Sequence, residues 1–208
     1  MPLKHAILVR IQVPEQIDKI ALFVLFLVYK YKFMEYLDVC DSDGKLTGEK
    51  KTKQEAHEKG LWHRSVHVWI VNSKNEILIQ KRSPFIDNHP NKWDISAAGH
   101  VSAGEDDITS ALRETEEELG LKIFPEEFIQ IGELKQMSER AGYINNEINP
   151  VYVVRKNLKI DQIRKQYEEV AEVKFVPFVT LKNVIENGDD SFVPHHEEYK
   201  LLFNYLSK

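Results

Sequence analysis

Residues 99–121 read GHVSAGEDDITSALRETEEELGL, and the rest of the 208-residue chain is organised around them. Ile108, Ala111, Leu112 and Leu119 recur at helical spacing, which predicts an amphipathic helix from about Asp106 to Leu119. Gly120 falls where a left-handed C-terminal cap belongs. The helix crowds Glu114, Glu116, Glu117 and Glu118 behind Arg113, with Glu105 just upstream. At roughly 100° per residue, Glu114, Glu117 and Glu118 share one face. Such carboxylates repel one another unless a cation sits among them. Hard divalent ions, Mg²⁺ or Mn²⁺, prefer oxygen ligands and commonly arrive with a substrate's phosphates. A solvated acidic face is the competing reading. Against it stand the apolar side next to the acidic one and the glycine-bearing turn (Gly99, Gly104) that feeds the helix.

The order Gly99, Glu105, Arg113-Glu114, Glu117-Glu118, Gly120 resembles the Nudix box. Seven specified residues, each at roughly 5–7% background usage, would coincide by chance on the order of once in a million chains of this size. Thr115 departs from the pattern, which has an aliphatic residue there. Its hydroxyl can bond the carbonyl four residues earlier, so packing rather than chemistry is expected to change. The resemblance implies an α/β fold, a Nudix-type α/β/α sandwich with a mixed β-sheet. It also implies Glu114, Glu117, Glu118 and the Gly99 carbonyl as metal ligands, and Glu114 or Glu147 as the group that deprotonates or orients water. Arg113 and Glu105 are expected to hold loop and helix in register through a partly buried ion pair.

Composition sets the bounds. The chain is long enough for one domain with a full core, and a formal charge of −5 gives no electrostatic case for a nucleic-acid polymer as partner. Cys40 is the only cysteine, so no intrachain disulfide can form and a cytoplasmic setting is expected. Ile20–Tyr29 is a run of ten apolar residues between lysines, whereas a membrane span needs about 20. It also lacks a cleavage site, and reads as a buried strand or an interface element. Residues 1–33 are an N-terminal extension of open status, 34–208 the Nudix domain, and self-association as a homodimer is left open.

In chain order, Glu35–Cys40 reads as a strand. Asp41–Gly44 is a turn, since the later ligand positions of a calcium loop are missing. Thr52–Lys59 reads as a helix, and Ser65–Val71 with Glu76–Lys81 as a hairpin. Ser83–Lys92 is a loop and Trp93–Ala98 a strand. Phe128–Gln136 and Ile148–Arg155 read as strands bracketing a loop that holds Gly142 and Asn145-Asn146. Glu172–Pro177 is a strand, and Thr180–Asn187 and His196–Leu206 are helices. Their irregular alternation favours a mixed sheet flanked by helices.

Residues 35–206 are also similar to the isopentenyl-diphosphate isomerase branch of the superfamily. The carriers include Glu55-Ala56-His57, Leu61-Trp62-His63, Trp69, Gln80-Lys81-Arg82, Trp93, Ala98-Gly99-His100, Glu147 and Phe192-Val193-Pro194. This resemblance implies a metal held by His63 and His100, with His57, and by carboxylates of a later strand. It breaks where isomerisation needs its proton donor: the isomerase cysteine is Ala98 here, the cation-stabilising tryptophan is His195, and one metal-binding glutamate is Asn145. The Nudix box, which the isomerases erode, is complete but for Thr115. The resulting expectation is metal-dependent hydrolysis of an organic diphosphate, either a nucleoside diphosphate derivative or an isoprenoid diphosphate. Glu114, Glu118, Glu147 and Arg113 carry the chemistry. Lys81, Arg82, Lys92, Trp93, His63 and His100 are candidates for binding substrate, each lysine and arginine against the plainer reading of a solvated cation. The alternatives are the isomerase reaction, disfavoured by Ala98, and a Nudix domain that senses a nucleotide without turnover.

Overall fold

The computed structural model describes residues 35–140 and 142–208, and Tyr36–Lys208 pack as one unit. The expectations for residues 1–33 and for Ile20–Tyr29 lie outside the described residues. Strands β1 (Tyr36–Cys40) and β2 (Leu46–Thr52) form a two-stranded antiparallel sheet. The Thr52 hydroxyl caps helix α1 (Lys53–Lys59) by accepting from the Glu55 N–H. Then come β3 (Trp62–Val71), β4 (Glu76–Arg82), β5 (Trp93–Asp94), β6 (Ala97–His100) and the acidic helix α2 (Asp107–Leu119). A long hairpin, β7 (Phe128–Arg140) and β8 (Tyr143–Arg155), is followed by β9 (Val170–Pro177), α3 (Phe178–Glu186) and α4 (His196–Leu206).

The larger sheet runs β5-β4-β3-β8-β7, with β6 paired to β3 and β9 to β4. β3 and β8 are parallel and the other pairs antiparallel, so the sheet is mixed. Strand alternation sorts β3 into two faces. Val66, Val68 and Ile70 pack with Ala111 and Leu119 of α2, and Trp69 and Val71 pack with Leu181 of α3 and Tyr199, Leu202 and Phe203 of α4. This is the expected α/β/α sandwich.

Three local expectations need correction. Asn145 and Asn146 are not in a loop but paired in β8, opposite Ser138 and Met137. Their amides are used across the fold, Asn145 against His57 and Asn146 donating to the Gly60 carbonyl, so they have no turn to build. The strand expected over Trp93–Ala98 is broken at Ile95-Ser96. There the Ser96 hydroxyl donates to the Leu78 carbonyl and accepts from the Ile70 N–H, stitching the gap to β3 and β4. Leu46–Thr52, unassigned from the sequence, is β2: its residues are mostly exposed, so no period-two apolar pattern marks it.

Candidate active site and metal centre

α2 is fixed at both ends. The Asp106 carboxylate caps it by accepting from the Thr109 N–H at 2.7 Å, and Arg64 of β3 forks onto Asp107 at 2.8 and 2.7 Å. Gly120 closes it at φ 65°, where an added Cβ would lie 2.7 Å from that of Arg164. Arg113 ties the preceding loop to the helix, donating to Glu105 at 3.1 Å, to the His100 carbonyl at 3.0 Å and to the Ser102 hydroxyl at 3.2 Å. It also pairs with Glu114 and with half-exposed Glu117. The Thr115 hydroxyl donates back to the Ala111 carbonyl at 2.7 Å.

Glu118 is 4% exposed and accepts from the Gln80 side-chain amide at 3.0 Å and the Ala98 N–H at 3.2 Å. Burial, with Glu114 and Glu169 nearby, pushes its carboxyl well above the usual range. Glu114 lies against Gly99 so closely that any Cβ at 99 would overlap its carboxylate. The Gly99 carbonyl accepts from the Ser65 hydroxyl at 2.9 Å. The expected ligands Gly99, Glu114 and Glu118 are thus neighbours, and Glu117 stands at the rim.

A second cluster lies across β6. His57 of α1, His63 of β3, His100 of β6 and Glu147 of β8 bring one ligand atom each to within 4.8 Å of one another. His63 Nδ1 donates to the Leu61 carbonyl at 2.8 Å, so its Nε2 is the bare nitrogen. That Nε2 is buried, has no hydrogen-bond partner among the described residues and stands 3.7 Å from Glu147 Oε1. His100 Nε2 is 3.4 Å from the same oxygen. His57 Nδ1 donates to the Lys53 carbonyl at 2.7 Å, its Nε2 meets the Asn145 amide at 2.9 Å, and the Tyr143 ring stacks on it at 4.3 Å. Burial, reinforced by His100 and His63, lowers the His57 pKa to about 4, which leaves it neutral at physiological pH. Burial alone would raise the Glu147 carboxyl, but His100 and His63 hold it well below the usual range. Three imidazoles and one carboxylate form a donor set that suits a transition metal. The bare His63 nitrogen is the observation that says such an ion fits.

Strand β6 divides the two clusters. Successive residues on a strand face opposite ways, and Gly99 turns toward Glu114 while His100 turns toward Glu147. Glu147, a candidate base from the sequence, therefore belongs with the histidines rather than with the glutamates of α2.

The other candidates are dispersed. Lys81 and Trp93 pair across β4 and β5 and face away from α2, with Lys81 Nζ 5.9 Å and Lys174 Nζ 3.7 Å from the indole centre. Arg82 donates to the Asn88 carbonyl at 2.9 Å and to Asp94 at 2.8 Å. Lys92 sits in the loop before β5, half-buried, its carbonyl accepting from the Arg82 N–H. His195 caps no N–H of α4; it is bound to buried Asp94 at 2.9 Å. His67 and Trp69 both donate to buried Glu198, at 2.6 and 2.8 Å. Gln80's contact with Glu118, Tyr143's with His57 and the Asp94–His195 pair were missed from sequence. Only the alternation His63-x-Ser65-x-His67 signalled a polar strand face.

Residues 61–196 match the family model described as NUDIX domain. The chain belongs to the Nudix family. It is 40% identical over 179 residues to Nudix hydrolase 3 of Arabidopsis thaliana, a match covering 83% of this chain and 23% of that protein. An uncharacterised Nudix hydrolase of Clostridium acetobutylicum is 35% identical over 159 residues, covering 75% of this chain and 76% of the relative. Curated relatives of this Nudix hydrolase-family chain also include isopentenyl-diphosphate Delta-isomerases, the one from Jannaschia being 28% identical over 142 residues, 68% of this chain and 79% of the relative. In fold, the Nudix domain matches a crystal structure from Deinococcus radiodurans with a TM-score of 0.60 at 20% identity, covering 80% of this chain and 98% of that one. No helix among the described residues is long and apolar enough to cross a membrane.

Proposed function

We propose that this Nudix domain hydrolyses an organic diphosphate by attack of water at phosphorus, with Mg²⁺ or Mn²⁺ at the acidic helix. The substrate is a nucleoside diphosphate derivative or an isoprenoid diphosphate. The observation that carries the reading is Glu118. A buried carboxylate beside Glu114, contacted by a neutral amide and a backbone N–H, is costly to charge unless a cation joins it. Glu114, Glu117, Glu118 and the Gly99 carbonyl would hold a divalent ion, which neutralises phosphate charge and acidifies a bound water. Within this arrangement Arg113 positions Glu114, Glu117 and the loop carbonyl of His100. Glu114 is the better-placed base for the water proton, because Glu147 lies across β6 among the histidines. His57, His63, His100 and Glu147 would hold a second ion of softer preference.

A cytoplasmic setting accompanies this reading, from the single, buried cysteine. The test is phosphate release from a panel of nucleoside, sugar and prenyl diphosphates with Mg²⁺ or Mn²⁺, before and after chelation. Metal-dependent turnover of at least one is the expected result. Binding of a panel member without turnover of any would point instead to a sensing domain.

A further inference from the structure

The face that β4 turns toward α2 is interrupted by an amide. The strand is held on both edges at this point, Gln80 pairing with Asp94 of β5 and with Val173 of β9. Side chains alternate along it. Leu78 joins the core with Ala111 and Leu119 of α2, whereas Ile77 and Ile79 join the core under α3 and α4. Gln80, two residues beyond Leu78, therefore faces α2, and it is 2% exposed. A buried amide where an apolar side chain would pack costs stability unless it is hydrogen-bonded. The partner here is an acid: Gln80 Nε2 donates to Glu118 Oε2 at 3.0 Å.

The Ala98 N–H reaches the same oxygen at 3.2 Å. Both donors thus converge on Oε2, which commits that oxygen to the protein and leaves the part of a ligand to Oε1. They come from different strands, β4 and β6, so the carboxylate is gripped by the sheet while its backbone belongs to α2. A long glutamate side chain loses rotamer freedom when its carboxylate is fixed, and here that ordering precedes any ion. The chemistry of the donor matters as much as its place. An arginine or lysine at position 80 would neutralise Glu118 and stand in for the cation. A side-chain amide donates a hydrogen without bringing a charge, so it orients the carboxylate and preserves its attraction for an ion.

We propose that Gln80 is a positioning residue for the acidic helix: it holds Glu118 by Oε2 so that Oε1 is presented to the divalent ion beside Glu114. This rests on the metal-dependent reading above and deepens it. Groups that hydrogen-bond a ligating side chain contribute about 10- to 100-fold to metal affinity or rate, and Gln80 belongs in that range.

The test is Mn²⁺ binding without substrate, read from the electron paramagnetic resonance signal of the free ion. A His63→Ala background removes the histidine-held ion, so that binding at the acidic helix alone is counted. Gln80→Met keeps the side chain's length but has no donor, and should weaken Mn²⁺ binding by about 10-fold or more. Gln80→Asn keeps the amide but draws it back by one methylene. It should weaken binding in the same direction, and it guards against a folding failure of the methionine variant. With a diphosphate that the wild type turns over, the loss of rate in either variant should shrink as Mn²⁺ is raised. Unchanged Mn²⁺ affinity in both variants would overturn the proposal, and a fall in Tm alongside it would mark a merely structural role. A loss of rate that no excess of Mn²⁺ reduces would overturn it as well. Mn²⁺ binding that depends on Gln80, without turnover of any diphosphate, would uphold it and sink the hydrolase reading alone. No Mn²⁺ bound by the parent protein would overturn it together with the metal assignment.

Discussion

At the scale of single residues, Gly99 and Glu118 make opposite demands on the acidic helix. Gly99 must lack a side chain, because Glu114 fills the space a Cβ would take. Gly99→Ala should therefore lower kcat by about 10²-fold, by displacing one carboxylate rather than by removing it. The metal content of the histidine cluster, measured by elemental analysis, should stay unchanged, since position 100 faces the other way. On the proposed reading Glu118 must be charged to hold the ion. Glu118→Gln preserves shape and should reduce kcat by about 10³-fold, the order seen when one preorganised electrostatic group is removed. Its effect on stability has the reverse sign. A carboxyl whose folded pKa is raised loses stability as pH climbs through that pKa, so the metal-free Gln variant should match or exceed the wild type in Tm at pH 8. A wild-type rate in Glu118→Gln would remove the metal assignment. His195 was expected only as a departure from the isomerase tryptophan, and nothing local in its sequence announced Asp94 as its partner, because the two lie 101 positions apart.

Among the elements, α2 was the most legible, since its apolar period, its cap residues and its acidic face all agree on one helix. The β7–β8 hairpin was the least. Gly142 and two asparagines imitate a wide loop, and only the cross-strand pairing reveals that the asparagines face α1 and the Gly60 carbonyl. Contact between α1, β3, β6 and β8 cannot be read from spacing at all, which is why the histidines could be grouped only by family resemblance. The junction of β5 with the start of α4 yields a pH prediction. Burial works against the charged His195, yet Asp94 lifts its pKa from 6.5 to about 9. Asp94 in turn is held well below its usual range by His195 and Arg82, despite its burial. A raised histidine gives stability that is complete below pH 6.5 and lost as pH rises through about 9. A depressed aspartate gives stability present above its unfolded value of 3.8 and lost as pH falls below it. The pair should therefore support the fold most between about pH 4 and 6.5. Thermal melts of the wild type should show Tm declining from pH 6.5 to 9, with a shallower slope in His195→Gln; parallel slopes would refute the coupling.

For the molecule as a whole, the mixed sheet flanked by helices followed from the irregular run of strands and helices and the sandwich from the family resemblance, while the strand order is set by pairings between residues distant in sequence. Scaffold likeness to the isomerases extends over most of the domain, yet a methyl group at Ala98 cannot give a proton to an alkene, and Cys40 is buried in β1, in the other sheet. Incubation with isopentenyl diphosphate and metal in D₂O should leave the prenyl chain unlabelled by NMR. Deuterium in that chain, or any dimethylallyl product, would show that another group supplies the proton. Chelation followed by titration should show two classes of ion, with His63→Ala abolishing only the softer one. The alternation in β6 has a consequence for how such a protein can change. Gly99 and His100 are successive residues assigned to opposite faces, so deleting one residue from this strand exchanges their directions and disables both centres in one event. Substitution can tune either centre alone, but length variation here cannot, and insertions or deletions tolerated in the loop of residues 83–92 should be absent from residues 97–100 in any functional variant recovered from a random library.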